Sequence, residues 1–238
     1  MSDRKYNKNK YYLDDDIKKA IQLADRFYKG DYTPKMFSNG NLKLGSNVAI
    51  FNMPVWITCK CMCEGCYAIK PERFRPSVRI QRAFHYEAVK LAVKDINKME
   101  YLKNYIINEI QYYNQIYKNF CVRIHEAGDF YCKEYLNMWL DIISRCSDIM
   151  FYTYTKQLNE DTINTLNNNY NNLNIIKSII DNRYLNFGDN DYIKGVEKYL
   201  NAIKQPYYVC KWDNKQSGYC MTQCNECLYC DKVLFVKH

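Results

Sequence analysis

Apolar residues recur at two different spacings along the chain, and the alternation between these spacings predicts the fold. Short runs rich in β-branched and aromatic residues are typical of strands, and they occupy residues 47–52, 120–124, 149–154, 175–180 and 207–209. Apolar residues that recur at helical spacing indicate amphipathic helices over residues 77–118, 133–146, 160–166 and 192–203. A break near residues 95–100 divides the longest of these stretches into two helices.

Two further features complete the predicted order of elements. Three consecutive aspartates from Asp14 provide an N-cap and an acidic first turn, so a helix begins there and ends near Gly30. The Asn-rich stretch 167–174 is predicted to be a loop between a helix and a strand.

Strands that alternate with helices pair in parallel through right-handed crossovers. We therefore predict an α/β fold, an open or partial βα barrel with parallel strands, an N-terminal helix and a C-terminal cysteine-rich metal-binding tail. The expected divisions are residues 1–46 for a basic segment and helix, 47–205 for the βα core with a cysteine loop, and 206–238 for the tail.

Composition narrows the class of protein. A chain of 238 residues with 47% hydrophobic content is long and apolar enough to bury one core. No run resembles a signal peptide or a membrane span, so we expect a cytoplasmic protein without a membrane partner. The formal net charge of +8 permits an anionic partner, such as nucleic acid, a nucleotide cofactor or an acidic electron donor, without choosing among them.

Twelve cysteines are distributed unevenly along the chain. Four lie within Cys59–Cys66 and five within Cys210–Cys230. In a reducing compartment such clusters are more typical of metal ligands than of disulfides, so two metal sites are expected. The remaining three are expected to be small buried hydrophobic residues: Cys121, Cys132 and Cys146.

The first cluster follows directly after the first predicted strand. Cys59, Cys63 and Cys66 stand in the pattern Cys-x3-Cys-x2-Cys, which places three thiolates on one loop. Three thiolates suit a 4Fe-4S cluster that keeps one open iron site. The interleaved Cys61 leaves an alternative open, in which all four cysteines hold a structural zinc or a closed cluster.

The second cluster lies in the tail and comprises Cys220, Cys224, Cys227 and Cys230, with Cys210 upstream. Four thiolates there suit either an auxiliary 4Fe-4S cluster or a zinc, and Cys210 is able to replace one of the four. The metal would act as a staple for the tail, because the binding energy of a structural metal contributes directly to folding.

Polar residues end the second and third long strands, at the edge where βα folds carry their function. Glu126 and Asp129 are candidates to bind a cofactor's amino group or ribose hydroxyls, and Gly128 would let the backbone approach closely. Asp129 has an alternative role as a cap of the turn into the next helix. His125 is a candidate acid-base group, ligand or core histidine, and Lys156 would meet an anionic group unless it is simply solvated.

Several ordered segments across about residues 41–238 resemble the phage "gene product 88" family. The resemblance implies a phage or prophage protein in a bacterial host cytoplasm, and a cysteine tail that belongs to the fold. The segments that carry it are Leu42–Gly45, Ile50–Pro54, Thr58–Cys59, Gly65–Ala68, Arg123–Tyr131, Tyr135 with Trp139, Tyr152–Lys156 and Val233–His238.

The cysteine spacing and the βα pattern are also similar, more loosely, to radical S-adenosylmethionine (SAM) enzymes. This similarity implies a 4Fe-4S cluster that binds SAM, radical chemistry on an unknown substrate, and a flavodoxin or ferredoxin as reductant. Glu126, Gly128 and Asp129 would then contact SAM, Tyr67 would lie near its adenine, and Glu126, His125 and Lys156 are the catalytic candidates.

An alternative from another functional class is a zinc-stapled, non-catalytic nucleic-acid-binding protein. Its basis is the positive net charge together with 24 tyrosines, which suit phosphate contact and base stacking.

Overall fold

The computed structural model describes residues 14–40, 44–59, 66, 68–178, 208–209, 226–228 and 233–234. The helix predicted over residues 192–203 and most of the cysteine-rich tail lie outside these ranges.

Seven α-helices occur in the described part of the chain: α1 (Asp14–Tyr28), α2 (Val55–Thr58), α3 (Ile69–Phe74), α4 (Pro76–Ala92), α5 (Ile96–Ile116), α6 (Lys133–Arg145) and α7 (Glu160–Asn169). The break between α4 and α5 has a local cause. The Asp95 carboxylate accepts hydrogen bonds from the Asn97 and Lys98 amides, so it caps the start of α5.

The main sheet has five strands in the order β1 (Ser38–Asn39), β2 (Val48–Phe51), β3 (Cys121–Ile124), β4 (Met150–Thr155) and β5 (Leu173–Lys177). Strands β2 to β5 are parallel, and β1 pairs antiparallel with β2 at the edge. The α/β class with parallel strands is thereby confirmed. Because the parallel strands follow one another in chain order, right-handed crossovers place the connecting helices on one face.

That helical face holds the larger core. Alternate strand residues such as Ala49, Val122 and Phe151 point into it and meet residues of α1, α4, α5, α6 and α7. Ala20, Ala24 and Phe27 of α1 belong to the same cluster, so the N-terminal helix packs with the βα units.

The opposite face of the sheet carries a smaller apolar cluster. Val48, Ile50, Cys121, Tyr152 and Ile176 form it on the strands. A short 3-10 helix, Glu226–Leu228, covers this face by contacts with β4 and β5.

Two predictions about these elements are wrong, one about a loop and one about the sheet to which a strand belongs. The Asn-rich stretch is not one loop, since α7 runs to Asn169 and β5 begins at Leu173. Asn167 fits there because its amide group bonds both the N–H and the C=O of Ile175, which ties α7 to β5. The strand predicted at residues 207–209 is β6 (Tyr208–Val209), which pairs with β7 (Val233–Leu234) in a separate sheet.

None of the helices in the described ranges is both long enough and apolar enough to span a bilayer.

Candidate functional site

The carboxyl ends of β2 and β3 are joined at one edge of the sheet. The Ala127 amide donates to Asn52 Oδ1 (2.8 Å), and the Met53 amide donates to the Ala127 carbonyl (2.9 Å). The backbone after β3 therefore lies directly against the backbone after β2. This edge is where βα proteins place their reacting groups.

Gly128 is required at this junction. Its φ is +92°, and a Cβ at this position would lie 2.5 Å from Met53 Cβ and 2.9 Å from Thr58 Oγ1. The close backbone approach predicted for Gly128 is thus made to the segment after β2, within the protein.

Asp129 braces the edge between β3 and β4. It is buried, and its Oδ1 accepts hydrogen bonds from the Phe130 amide (2.8 Å) and from Thr155 Oγ1 (2.6 Å). Its Oδ2 accepts from the Lys156 amide (2.9 Å). Both carboxylate oxygens are therefore satisfied by protein donors. Asp129 is not the N-cap of α6, which begins at Lys133 after Cys132, but its bond from the Phe130 amide lies in the turn that leads to this helix.

The end of α2 is tied to the same brace. Thr58 Oγ1 accepts a hydrogen bond from the Asp129 amide (3.3 Å) and donates to the Pro54 carbonyl (2.8 Å). The Gln157 side chain donates to the Thr58 carbonyl. Thr58 is fully buried and immediately precedes Cys59, so the entrance to the cysteine loop is fixed to the ends of β3 and β4.

The two described cysteines of the first cluster lie on the same side of the molecule as this edge. Cys59 follows α2, Cys66 precedes α3, and both are half-buried. They pack on one small apolar cluster that includes Val55, Ala68 and Ala127. The structure thus brings both ends of the loop to the residues that follow β3.

The remaining residues of this cluster, Cys61, Cys63 and Tyr67, lie outside the described residues. Among the residues that are described, no group of three or more His, Cys, Asp or Glu side chains is arranged to hold a metal ion.

A buried ion pair anchors both ends of the cysteine loop. Glu72 is completely buried and its Oε1 accepts hydrogen bonds from the Val55 amide (3.0 Å) and from Arg82 Nη1 (2.8 Å). The same Arg82 nitrogen donates to the Ala68 carbonyl (3.1 Å). Val55 begins α2 before the loop, and Ala68 follows the loop, so one pair holds both flanks.

A second buried pair supports the first. Arg79 Nε donates to Asp16 Oδ2 (2.8 Å), and Arg79 Nη1 donates to the carbonyls of Glu72 and Arg73 (both 2.9 Å). The pair itself joins α1 to α4, and the two carbonyl contacts of Arg79 add the end of α3. Buried charges are costly unless they are paired and hydrogen-bonded, and both arginines meet that condition.

His125 is an interior residue. It has a φ of +68°, is 2% exposed, and packs edge-on against Phe130. Its Nε2 forms a hydrogen bond with Tyr135 Oη (2.7 Å). Burial, aided by the nearby Arg123 guanidinium, lowers the pKa of His125 to about 3. The imidazole is therefore neutral at physiological pH.

Glu126 and Lys156 are the predicted catalytic residues that the structure leaves partly exposed at this edge. Glu126 directly precedes the Ala127 junction, and Lys156 follows β4, with its amide held by Asp129. The Lys156 carbonyl accepts a hydrogen bond from Lys177 Nζ (3.4 Å). Glu126 and Lys156 thus follow β3 and β4 at the same edge of the sheet, and Lys177 of β5 contacts the backbone of Lys156.

Cys227 is the described member of the second cluster, and it lies in the 3-10 helix that covers the face of the sheet opposite the larger core. Tyr154 Oη donates to Cys227 Sγ (2.7 Å), and Asn174 Nδ2 donates to the Cys227 carbonyl (3.0 Å). Cys210, Cys220, Cys224 and Cys230 lie outside the described residues.

The scattered cysteines are placed much as expected. Cys121 and Cys146 are buried and Cys132 is half-buried. Burial raises the pKa of the Cys121 thiol to about 12 and that of Cys146 to about 11, so both are neutral.

A comparison with protein families gives one match. The model of the gene product 88 family matches residues 17–186, which run from α1 past β5. The chain belongs to the gene product 88 family. The match includes the cysteine loop and the segment after β3, and it begins earlier and ends earlier than the motif-based resemblance over residues 41–238. No curated protein and no solved structure matches the chain.

Sequence reasoning missed the residues that hold the gene product 88 site together. Glu72 and Arg82 stand in polar surroundings in the sequence, where charged residues are usually exposed. The ten-residue separation places them on different helices, so helical periodicity gives no signal for the pair. Thr58 had one signal, since it directly precedes the first cysteine of a recognised spacing.

Proposed function

We propose that this chain is an iron-sulfur protein of radical SAM type, built on an open βα barrel. Cys59, Cys63 and Cys66 would hold a 4Fe-4S cluster at the carboxyl edge of the parallel sheet. The observation that carries the proposal is that Cys59 and Cys66, which flank the loop, share one apolar cluster with Ala127 beyond β3. A metal held by this loop would face the residues after β3.

The donor set fits this group. Thiolates are soft ligands that favour iron-sulfur clusters or zinc, and both described cysteines of the loop, Cys59 and Cys66, are half-buried. The small apolar residues Val55, Ala68 and Ala127 around them would limit water and lower the local dielectric. When bound and reduced, the cluster would supply the electron that cleaves SAM at its open iron site.

The residues of the chain would divide the remaining work. Asp129 and Gly128 support the proposal as braces of the edge, since their contacts are made within the protein. Glu126 is the candidate partner for the amino group of SAM, and Lys156 for its carboxylate, because both are partly exposed where β3 and β4 end. Tyr67 stays the candidate for contact with the adenine.

The proposal extends to the compartment, the reductant and the metal of the tail. The protein would act in the cytoplasm of a bacterial host, with a flavodoxin or ferredoxin as reductant. The tail cysteines would hold a second 4Fe-4S cluster or a zinc. Nucleic-acid binding by a zinc-stapled, non-catalytic protein stays the alternative prediction.

Metal analysis tests the proposal. Protein purified without oxygen is expected to contain about four irons and four sulfides per chain for one cluster, or about eight of each for two. Cys66→Ala should lose about four irons and all SAM cleavage. The matched control Cys132→Ala removes a half-buried cysteine outside both clusters and should lose neither.

Zinc without sulfide would refute the iron-sulfur proposal and leave the structural-zinc alternative. Equal iron in Cys66→Ala and Cys132→Ala would refute the assignment of the loop, even if the tail binds iron.

A further inference from the structure

The corner between α3 and α4 carries three exposed basic residues beside an exposed aromatic ring. We define this basic corner as Lys70, Arg73, Phe74 and Arg75. The three basic residues are exposed, and Phe74 is 70% exposed, which is unusual for so large an apolar side chain. Lys70 lies four positions after Cys66.

Among the residues that the structure describes, no carboxylate neutralises the positive charge of the corner. Within the described residues, none of its three basic side chains forms an ion pair. The one carboxylate in this stretch is that of Glu72, which is buried and paired with Arg82. By contrast, Lys90, Lys103 and Arg145 on α4, α5 and α6 all pair with carboxylates.

The aromatic ring and the charges act together. Arg73 lies over the Phe74 ring, with its guanidinium carbon 5.4 Å from the ring centre, and Phe74 is still 70% exposed beside it. Arg75 follows on the other side of Phe74 in the sequence. The dipole of α4 adds a smaller positive potential at its amino-terminal end, and its first turn carries no acidic residue to offset it.

We propose that the basic corner binds single-stranded nucleic acid. Phe74 would stack on one base, and Lys70, Arg73 and Arg75 would contact the flanking phosphates. Neither contact needs a particular base, so the binding would tolerate sequence changes. The proposal does not depend on the iron-sulfur assignment, because the corner is formed by side chains outside the cysteine loop.

The shape of the corner favours a nucleic acid over an acidic protein. A stable protein interface buries about 800 Å² on each partner and is centred on several packed anchors. The basic corner offers one large apolar side chain. A single strand is flexible enough to follow such a corner, and each base brings its own face for stacking.

Fluorescence anisotropy of a labelled 15-nucleotide oligothymidylate tests the proposal with the full-length protein. Phe74→Ala is expected to weaken binding roughly fivefold or more, since stacking on one aromatic residue is lost. The slope of log K against log salt is negative. In the double variant Arg73→Gln/Arg75→Gln it should become less steep by roughly 0.7 for each phosphate contact removed.

Two matched controls separate a local site from general charge. Tyr112→Ala removes another exposed aromatic residue, 59% exposed on α5. Lys94→Gln/Lys118→Gln removes the same charge from two other exposed basic positions. Both controls should bind as the wild type does, and circular dichroism should show all variants folded.

Equal affinities for Phe74→Ala and Tyr112→Ala would overturn the proposal, as would equal salt slopes for the two double variants. Binding of a 15-base-pair duplex as tightly as the single strand would also overturn it, because paired bases do not present their faces to Phe74. The same assay on protein stripped of metal keeps this result separate from the iron-sulfur proposal.

Discussion

Arg82 contacts the Glu72 carboxylate at 2.8 Å in an ion pair from which water is almost completely excluded. Glu72 Oε1 accepts from the Val55 amide at the start of α2, and Arg82 Nη1 donates to the carbonyl of Ala68 after the cysteine loop, so the pair links the two flanks of the loop. The loop itself contributes no described residue to this anchor. Its two flanks are therefore positioned by helices α3 and α4, whether or not a metal is bound.

Glu72→Gln is expected to lower the free energy of unfolding by about 3 to 5 kcal/mol, because it leaves the buried Arg82 charge without a counter-charge. Urea denaturation checks this value. The matched control is Asp15→Asn, which breaks the exposed pair with Lys18 on α1 and should cost about 1 kcal/mol or less. Equal losses for the two variants would contradict the anchoring role of Glu72.

Asp129→Asn should destabilise the protein by about 1 to 3 kcal/mol, because the amide group cannot accept all three hydrogen bonds that the carboxylate accepts. Thermal or urea unfolding measures the effect. Asp148→Asn is the control, since Asp148 is exposed and accepts one bond from Asn114. A stable Asp129→Asn variant with impaired SAM binding would instead make Asp129 a cofactor contact.

Gly128→Ala and Gly30→Ala separate steric clash from backbone strain. Both glycines have positive φ, +92° and +81°, so alanine is strained by roughly 1 to 2 kcal/mol at either position. Only Gly128 has neighbours that a Cβ would strike, namely Met53 and Thr58. Gly128→Ala should therefore lower the unfolding free energy clearly more than Gly30→Ala. Similar losses would show that the junction yields to the added methyl group.

The acid stability of the fold should depend on its buried histidines. Burial lowers the pKa of His125 to about 3 and that of His85 to about 4, against about 6.5 in the unfolded chain. Below pH 6.5 the unfolded chain binds protons that the folded protein does not. The unfolding free energy should therefore fall as pH drops from about 6.5 toward 4, and stay unaffected by these groups above 7.

Variant His125→Asn tests this contribution, since asparagine tolerates the positive φ at that position. Between pH 6 and 4 its unfolding free energy should fall less steeply than that of the wild type, by up to about 1.4 kcal/mol per pH unit. Parallel pH profiles for the two proteins would contradict the low pKa of His125.

The elements that sequence predicts correctly are those with a repeated burial pattern. Strands β2 to β4 are short, largely buried runs of β-branched and aromatic residues, and helices α4 to α6 each bury one stripe, so composition and apolar spacing reveal them. Helices α2 and α3 and the two-residue β1 are too short to show a period. The sequence predicted β6 as a strand of the core sheet. The structure pairs it instead with β7, which lies 25 positions further along the chain, and the spacing of apolar residues does not reveal so distant a partner.

The candidate site divides in the same way. The position of Cys59 and Cys66 beside the edge of the sheet was predictable, because their loop directly follows the first parallel strand and its short helix α2. The brace at Asp129 was not, since its partners Thr155 and Lys156 stand 26 and 27 positions further along the chain. Only the parallel pairing of β3 with β4 brings these residues together, and the sequence states that pairing without its register.

The 3-10 helix that covers the smaller apolar cluster of the sheet has a consequence for folding during translation. Strands β4 and β5 are translated well before residues 226–228, which later pack over them. At typical elongation rates of about 5 to 20 residues per second, the apolar residues around Tyr152 and Ile176 wait a few seconds for that cover. During this interval the nascent chain exposes an apolar surface that is prone to aggregation. The yield of folded protein should therefore depend on chaperones in the cell that makes it.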